Sequence, residues 1–149
     1  MANTNIPNIS IDGARICWKN FAGVKDEFNR SGERNFCLII DDEDMADQLR
    51  EDGWNVKRYQ KTPDSDPLIY IPVTVSFKSY PPRVFLVTSR NKVRLDEETV
   101  AQIDNAEIEH IDITVRPYPW EVNGKTGIKA YLKTMYVTIR EDEFAYKYE

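Results

Sequence analysis

The chain has 149 residues, 41% of them hydrophobic and 30% charged, with a formal net charge of −5. That is one soluble domain's worth of sequence, too apolar for a disordered chain and large enough to fold without disulfide or metal staples. No apolar run approaches the ~18 residues of a membrane span, and the N-terminal MANTNIPNIS lacks a signal peptide's basic and apolar regions, so a cytoplasmic protein without a membrane partner is expected.

In chain order, Ile9-Ser10-Ile11 leads into a strand-like stretch, Ala14–Trp18. The loop 19–33, with Gly23 and Gly32 for mobility, then reaches a strand with Phe36, Leu38 and Ile40 on one side. Residues 41–52 read as a helix capped by Asp41 or Asp42: Glu43 and Asp44 suit the positive end of its dipole, Met45 and Leu49 form an apolar stripe, and Gly53 follows the last turn. The four acids 41–44 lack the oxygen-ligand spacing of a calcium loop. Next, Trp54 and Val56 point one way while Lys57 and Tyr59 point the other. Ile69, Ile71, Val73, Val75 and Phe77 line one face opposite Tyr70, Pro72, Thr74, Ser76 and Lys78, and Pro72 predicts an edge or a bulge there. Val84–Ser89 is a strand, Asp96 caps a second helix over Glu97–Asp104 with Val100 and Ile103 inward, and Ile108–Arg116 and Ile128–Arg140 complete the set. About seven strands with helices inserted between them predict a mainly β chain, an OB-fold-like small β-barrel with two short α-helical insertions; a β-sandwich is the alternative. The expected organisation is one nucleic-acid-binding domain over 1–140 and a short acidic-aromatic tail over 141–149.

Cys17 and Cys37 lie in apolar stretches without CxxC spacing and are expected to be reduced, buried thiols. With His110 they make three zinc-type ligands, one short of a structural site, so no metal is expected. A Cys–His catalytic pair has no motif in its favour. Phosphate-binding, dinucleotide-binding, zinc-protease and serine-hydrolase signatures are absent as well, so no enzyme and no cofactor are predicted.

The charge is segregated. Segments 41–52, 96–112 and 141–149 together carry −16, which leaves +11 on the remainder. An acidic total is therefore compatible with a polyanion partner, because affinity follows local potential. The same acidic segments favour a second class of function, a protein-interaction module or inhibitor that mimics nucleic acid.

The stretch 113–137, ITVRPYPWEVNGKTGIKAYLKTMYV, is the most informative. Asn123-Gly124 is a strong signal for a two-residue type I′ hairpin turn. Pairing across it sets Tyr118 against Lys129, Arg116 against Tyr131 and Thr114 against Lys133, while Val115–Leu132, Pro117–Ala130 and Pro119–Ile128 pair on the other face. A four-residue loop keeps these faces with shifted pairs; a five-residue loop flips the parity and mixes them, which a half-buried sheet does not tolerate. Arg116, Tyr118, Trp120, Lys129, Tyr131 and Lys133 thus share one exposed surface, although Trp120 has the alternative of covering the barrel end. Aromatic rings interleaved with cations suit single-stranded nucleic acid, whose bases stack and whose phosphates need positive charge. Trp18, Lys19 and Phe21, then Lys57 and Tyr59, then Lys78 with Tyr80, are expected to extend the surface.

The run RPYPWEVNGKTGIKAYLKTMYV followed by EDEF, together with IPVTVSFKSYPPRVFLVTS and LDEETV, resembles the small single-stranded-DNA-binding proteins encoded in the replication modules of tailed bacteriophages. The resemblance spans about Ile9 to Glu143. It implies an OB-fold, sequence-independent binding of single-stranded DNA, no catalysis, and a role in phage replication or recombination in the host bacterial cytoplasm. It leaves oligomeric state open, homo-oligomer included. The tail here is short and ends on Glu149 rather than on the apolar residue that closes the long acidic tails of cellular relatives. Its expected roles are contact with replication or recombination proteins and competition with DNA for the basic surface.

Overall fold

In the computed structural model the described residues are 6–27, 29–78 and 81–140. Their elements are β1 (Ile9–Asp12), β2 (Arg15–Asn20), β3 (Arg34–Ile39), α1 (Glu43–Asp52), β4 (Lys57–Tyr59), β5 (Leu68–Val75), β6 (Arg83–Val87), β7 (Lys92–Leu95), a 3-10 helix (Val100–Asn105), β8 (Ile108–Val122) and β9 (Lys125–Ile139). All nine strands belong to one sheet, whose main path runs β1-β8-β9-β5-β3-β2. A sandwich needs two sheets, so that alternative falls.

Hydrogen bonds do not join the two ends of this path, yet β1 and β2 are consecutive in the chain. They are two halves of one bent strand. Gly13, at φ +75°, makes the bend that lets the first half pair with β8 and the second with β3. The Ala14 N–H still donates to the Ile111 carbonyl at 2.8 Å, so the β8 pairing continues into the bend. The sheet thereby wraps into the OB-like barrel, with β5 beside β9 in parallel through Val73–Ala130 and Thr74–Tyr131.

Inward residues of alternating parity fill the barrel: Phe36, Leu38, Ile71, Val73, Val84, Val115, Leu132, Met135 and Val137 are all buried. Val100 and Ile103 of the 3-10 helix join the same core. Pro72 sits inside a strand flanked on both sides, but locally it meets the expectation of an edge. The β4 pairing ends at Tyr70 and the β9 pairing begins at Val73, so Pro72 falls in the gap between them.

Helix α1 forms as its sequence directs. The Asp42 carboxylate accepts from the Asp44 and Met45 amides, and Gly53, at φ +102°, ends it by donating its N–H to the carbonyls of Leu49 and Arg50. Ala46 and Leu49 are its buried pair, with Met45 only half-buried. The second helix differs from expectation: it is a 3-10 helix over Val100–Asn105, not an α-helix from Glu97. The Asp96 carboxylate accepts from the Glu98 and Thr99 amides and from the Thr99 hydroxyl, closing a local turn that competes with the helical ladder. Those hydrogen bonds, the Thr99 hydroxyl first, hold the Asp96 carboxyl below its ordinary pKa. β7 is a further departure. Lys92-Val93-Arg94-Leu95 alternates polar and apolar over only four residues, and of its two apolar side chains Leu95 is buried while Val93 is exposed. No helix among the described residues is long and apolar enough to cross a membrane.

Candidate nucleic-acid interface

The β8–β9 hairpin turns at Asn123 and Gly124, with φ of +51° and +79°, the two positive values that a type I′ turn requires. Val122–Lys125, Pro119–Ile128, Tyr118–Lys129, Pro117–Ala130, Arg116–Tyr131 and Val115–Leu132 are paired. Thr114 departs from expectation by pairing with Thr134. Lys133 is the extra residue of a bulge and stands exposed beside the ladder.

Cross-strand register joins this hairpin to the other end of the sheet. Asn20–Asn35, Asn35–Thr74, Thr74–Tyr131 and Tyr131–Arg116 are successive partners, a row across β2, β3, β5, β9 and β8. Parallel rows hold Cys17–Cys37–Pro72 and Arg15–Ile39–Tyr70–Lys57. Phe36, Leu38 and Val73 alternate with these positions and are buried, so all three rows take the outward parity, with Ile39 and Thr74 in them covered by their neighbours. The basic-aromatic hairpin and the cluster around Lys57 and Tyr59 thus lie on one surface.

Tyr131 is the centre of its hairpin end. The Arg116 guanidinium lies 4.8 Å and the Lys129 ammonium 5.3 Å from its ring centroid, and Tyr118 meets it edge-on at 5.8 Å. Burial pulls the Lys129 pKa down, but the Glu33 carboxylate at 3.4 Å and the neighbouring Tyr131 outweigh this and hold it above the ordinary lysine value. Trp120 is 39% exposed and lies across Gly127, where an added Cβ would come 2.5 Å from its ring. A groove of about 570 Å³ runs between Trp120, Lys129, Lys57 and Pro72. It shares Glu33 and Thr74 with a second groove, of about 340 Å³, lined by Arg34, Phe77, Lys78 and Tyr131.

At the other end Trp18 is 51% exposed. Strict alternation after Cys17 would turn it inward. A bulge between Cys17 and Asn20 and a left-handed φ of +50° instead re-aim it outward, edge-on to Tyr70 at 5.0 Å and Tyr59 at 5.5 Å. Left-handed backbone at a bulky residue stores about 1–3 kcal/mol of strain, a cost that concentrates at ligand-contacting positions.

Its sequence neighbours go elsewhere. The Lys19 ammonium reaches the Ile103 carbonyl of the 3-10 helix at 3.4 Å. Phe21 is fully buried and stacked on Phe36 at 5.2 Å, so it offers no face to a base. The Asp104 carboxylate fixes that turn by accepting from the Phe21 and Ala22 amides. Tyr80 lies outside the described residues, as do 141–149. Tyr70, on the outer face, and Arg34 and Phe77, which line the adjoining groove from the inward parity, were not among the expected residues. Tyr70 was detectable as the outward partner in the 69–77 alternation, whereas Arg34 and Phe77 come together (5.8 Å) only through register.

The two thiols are half-buried rather than buried, cross-strand partners on this face. Burial first, and then Cys17 beside it, push the Cys37 thiol up to about 11, which suppresses the nucleophilic thiolate. His110 is engaged elsewhere. Asp12 and Asp112 are direct partners on β1 and β8, and the His110 Nε2 bridges them at 2.8 and 2.9 Å. The His110 nitrogen and the two carboxylate oxygens, all of exposed residues, lie within 4.8 Å of one another, a gathering that sequence spacing hides. The hydrogen bonds to Asp112 and then Asp12 raise the histidine's pKa. A pKa raised by folding gives stability that is full below the ordinary histidine value and lost as pH climbs through the raised one. Amide-exchange protection of β1 is therefore expected to fall as pH rises through that range, and His110→Gln to remove the dependence. Protection that stays flat in the unsubstituted chain would show that the bridge does not hold β1.

The family described as "Putative phage ssDNA-binding domain" matches residues 1–149. Among solved structures, the chain is similar to the single-stranded DNA-binding protein of bacteriophage Enc34 with its C-terminus truncated (TM-score 0.57, 12% identity, covering 91% of this chain and 87% of that one). The same phage protein in complex with single-stranded DNA gives a TM-score of 0.56 at 12% identity over 92% and 89% of the two chains. The Enc34 protein by itself gives 0.55 at 11% identity over 95% and 90%. At such identities the likeness is one of fold. No curated protein matches the chain in sequence.

Proposed function

The chain belongs to the phage ssDNA-binding domain family, and we propose that it binds and protects single-stranded DNA, without sequence preference, during phage DNA replication or recombination. The observation that carries this reading is the unbroken outer row from Asn20 to Arg116, with Tyr131 set between two cations and the Trp18–Tyr59–Tyr70 cluster on the same face. Rings at both ends supply stacking surfaces, and Lys57, Lys78, Arg116, Lys129 and Lys133 supply charge for the phosphates between them. Contacts of this kind read the backbone and the flat faces of bases, not base edges. Residues 1–140 act as the binding domain, in the host cytoplasm, without catalysis or cofactor. The tail 141–149 contacts replication or recombination proteins.

Titration of oligothymidine, oligoribonucleotide and duplex across a salt series tests the reading. Single strands are expected to bind in preference to duplex, with each phosphate contact adding about −0.7 to the log–log salt slope. Salt-insensitive binding or a preference for duplex would overturn it.

A further inference from the structure

A second basic-aromatic cluster lies beyond the surface described above, on the β6–β7 hairpin, which sequence reading treats only as a strand. β6 runs parallel to the distal half of β9, pairing Arg83 with Thr134 and Phe85 with Tyr136, and β7 places Arg94 beside Phe85 and Lys92 beside Val87. Phe85 and Tyr136 stack at 4.9 Å with 12° between their planes, and the Lys92 ammonium lies 5.2 and 5.7 Å from the two centroids. Segment 83–95 holds Arg83, Arg90, Lys92 and Arg94 without a single acid. Among the described residues no carboxylate pairs with Arg83, Lys92 or Arg94, unlike Lys129, which Glu33 holds.

The bulge at Lys133 decides which way this cluster faces. Without it Tyr136 would share the parity of the buried Leu132; with it, Met135 and Val137 turn inward and Tyr136 outward, to the same side as Tyr131. At ~3.3 Å per residue the two tyrosines are roughly 17 Å apart along β9, inside the ~4–16-nucleotide footprint of one OB-fold. On its β8 side Tyr136 faces Asp112, which keeps a polyanion toward β6–β7.

We propose that Phe85, Tyr136, Lys92 and Arg94 form an extension site that takes the continuation of the same single strand past Tyr131 and Lys133. Here the base-stacking platform is the Phe85–Tyr136 pair, and Lys92 and Arg94 meet phosphates. The inference rests on the single-strand binding proposed above.

The test is the double variant Lys92→Ala/Arg94→Ala, two exposed positions, titrated with oligothymidines of graded length and compared with the unsubstituted chain. The shortest oligomers that bind should be unaffected. Longer ones should bind more weakly, with the salt slope reduced by up to ~1.4, about 0.7 for each lost contact. No loss at any length would overturn the extension site, and so would an equal loss at every length, which would mean that these charges act only as a general field. Absence of binding by the unsubstituted chain at every length would instead refute the parent reading.

Discussion

Tyr131→Ala is expected to weaken oligothymidine binding by about 1–3 kcal/mol, the range for a base that loses its aromatic platform, or roughly 5–150-fold. The ring is half-buried at the crossing of the outer row with the hairpin, and Arg116, Lys129 and Tyr118 all pack against it. Its removal leaves both cations in place, so affinity should fall while the salt slope stays unchanged. That pairing of outcomes separates stacking from electrostatics. A lower slope with little loss at reference salt would show that the ring serves only to position the cations. Unchanged affinity would take Tyr131 off the DNA path.

The largest effect on stability is expected at Phe21. Its side chain is fully buried and stacked on Phe36, and truncating a buried phenylalanine costs about 3–5 kcal/mol through lost transfer energy and the cavity left behind. Phe21→Ala should therefore lower the denaturation midpoint sharply, while affinity for oligothymidine, measured where the variant is still folded, stays near that of the unsubstituted chain. A folded variant with unchanged stability and weakened binding would return Phe21 to the DNA surface, where sequence reading placed it.

Phe21 also shows where sequence legibility ended. In the β8–β9 hairpin, Asn-Gly turn chemistry and period-two alternation are local and agree with each other, so register follows from parity alone. There the sequence predicts five of six pairs, and the sixth, Thr114–Lys133, fails at a bulge that no local residue type signals. Trp18, Lys19 and Phe21 were read as one contiguous patch. A left-handed Trp18, a lysine drawn to the Ile103 carbonyl and a phenylalanine pinned by Asp104 scatter them in three directions. Each of these is a tertiary contact with an element at least thirty residues away or a backbone choice that costs strain. The same holds for the way the open sheet wraps round on itself. Only the pairing of β1 with β8 and β2 with β3 shows Gly13 bending one strand into two. The second helix is where the sequence puts it, with Val100 and Ile103 inward, but it is 3-10 rather than α because the Asp96–Thr99 turn competes with the helical ladder, and β7 was missed because four residues carry too little periodicity to stand out.

The central claim is that the hairpin and the Trp18–Tyr59–Tyr70 cluster form one DNA-contacting face. Amide chemical-shift changes on adding oligothymidine test it most directly. The account predicts shifts running along the outer rows, at Trp18, Tyr59, Tyr70, Thr74, Arg116, Tyr118 and Tyr131 together, with the exposed acidic side of α1 unmoved. Shifts confined to one of the two clusters, or concentrated on α1 between Glu43 and Asp52, would contradict it.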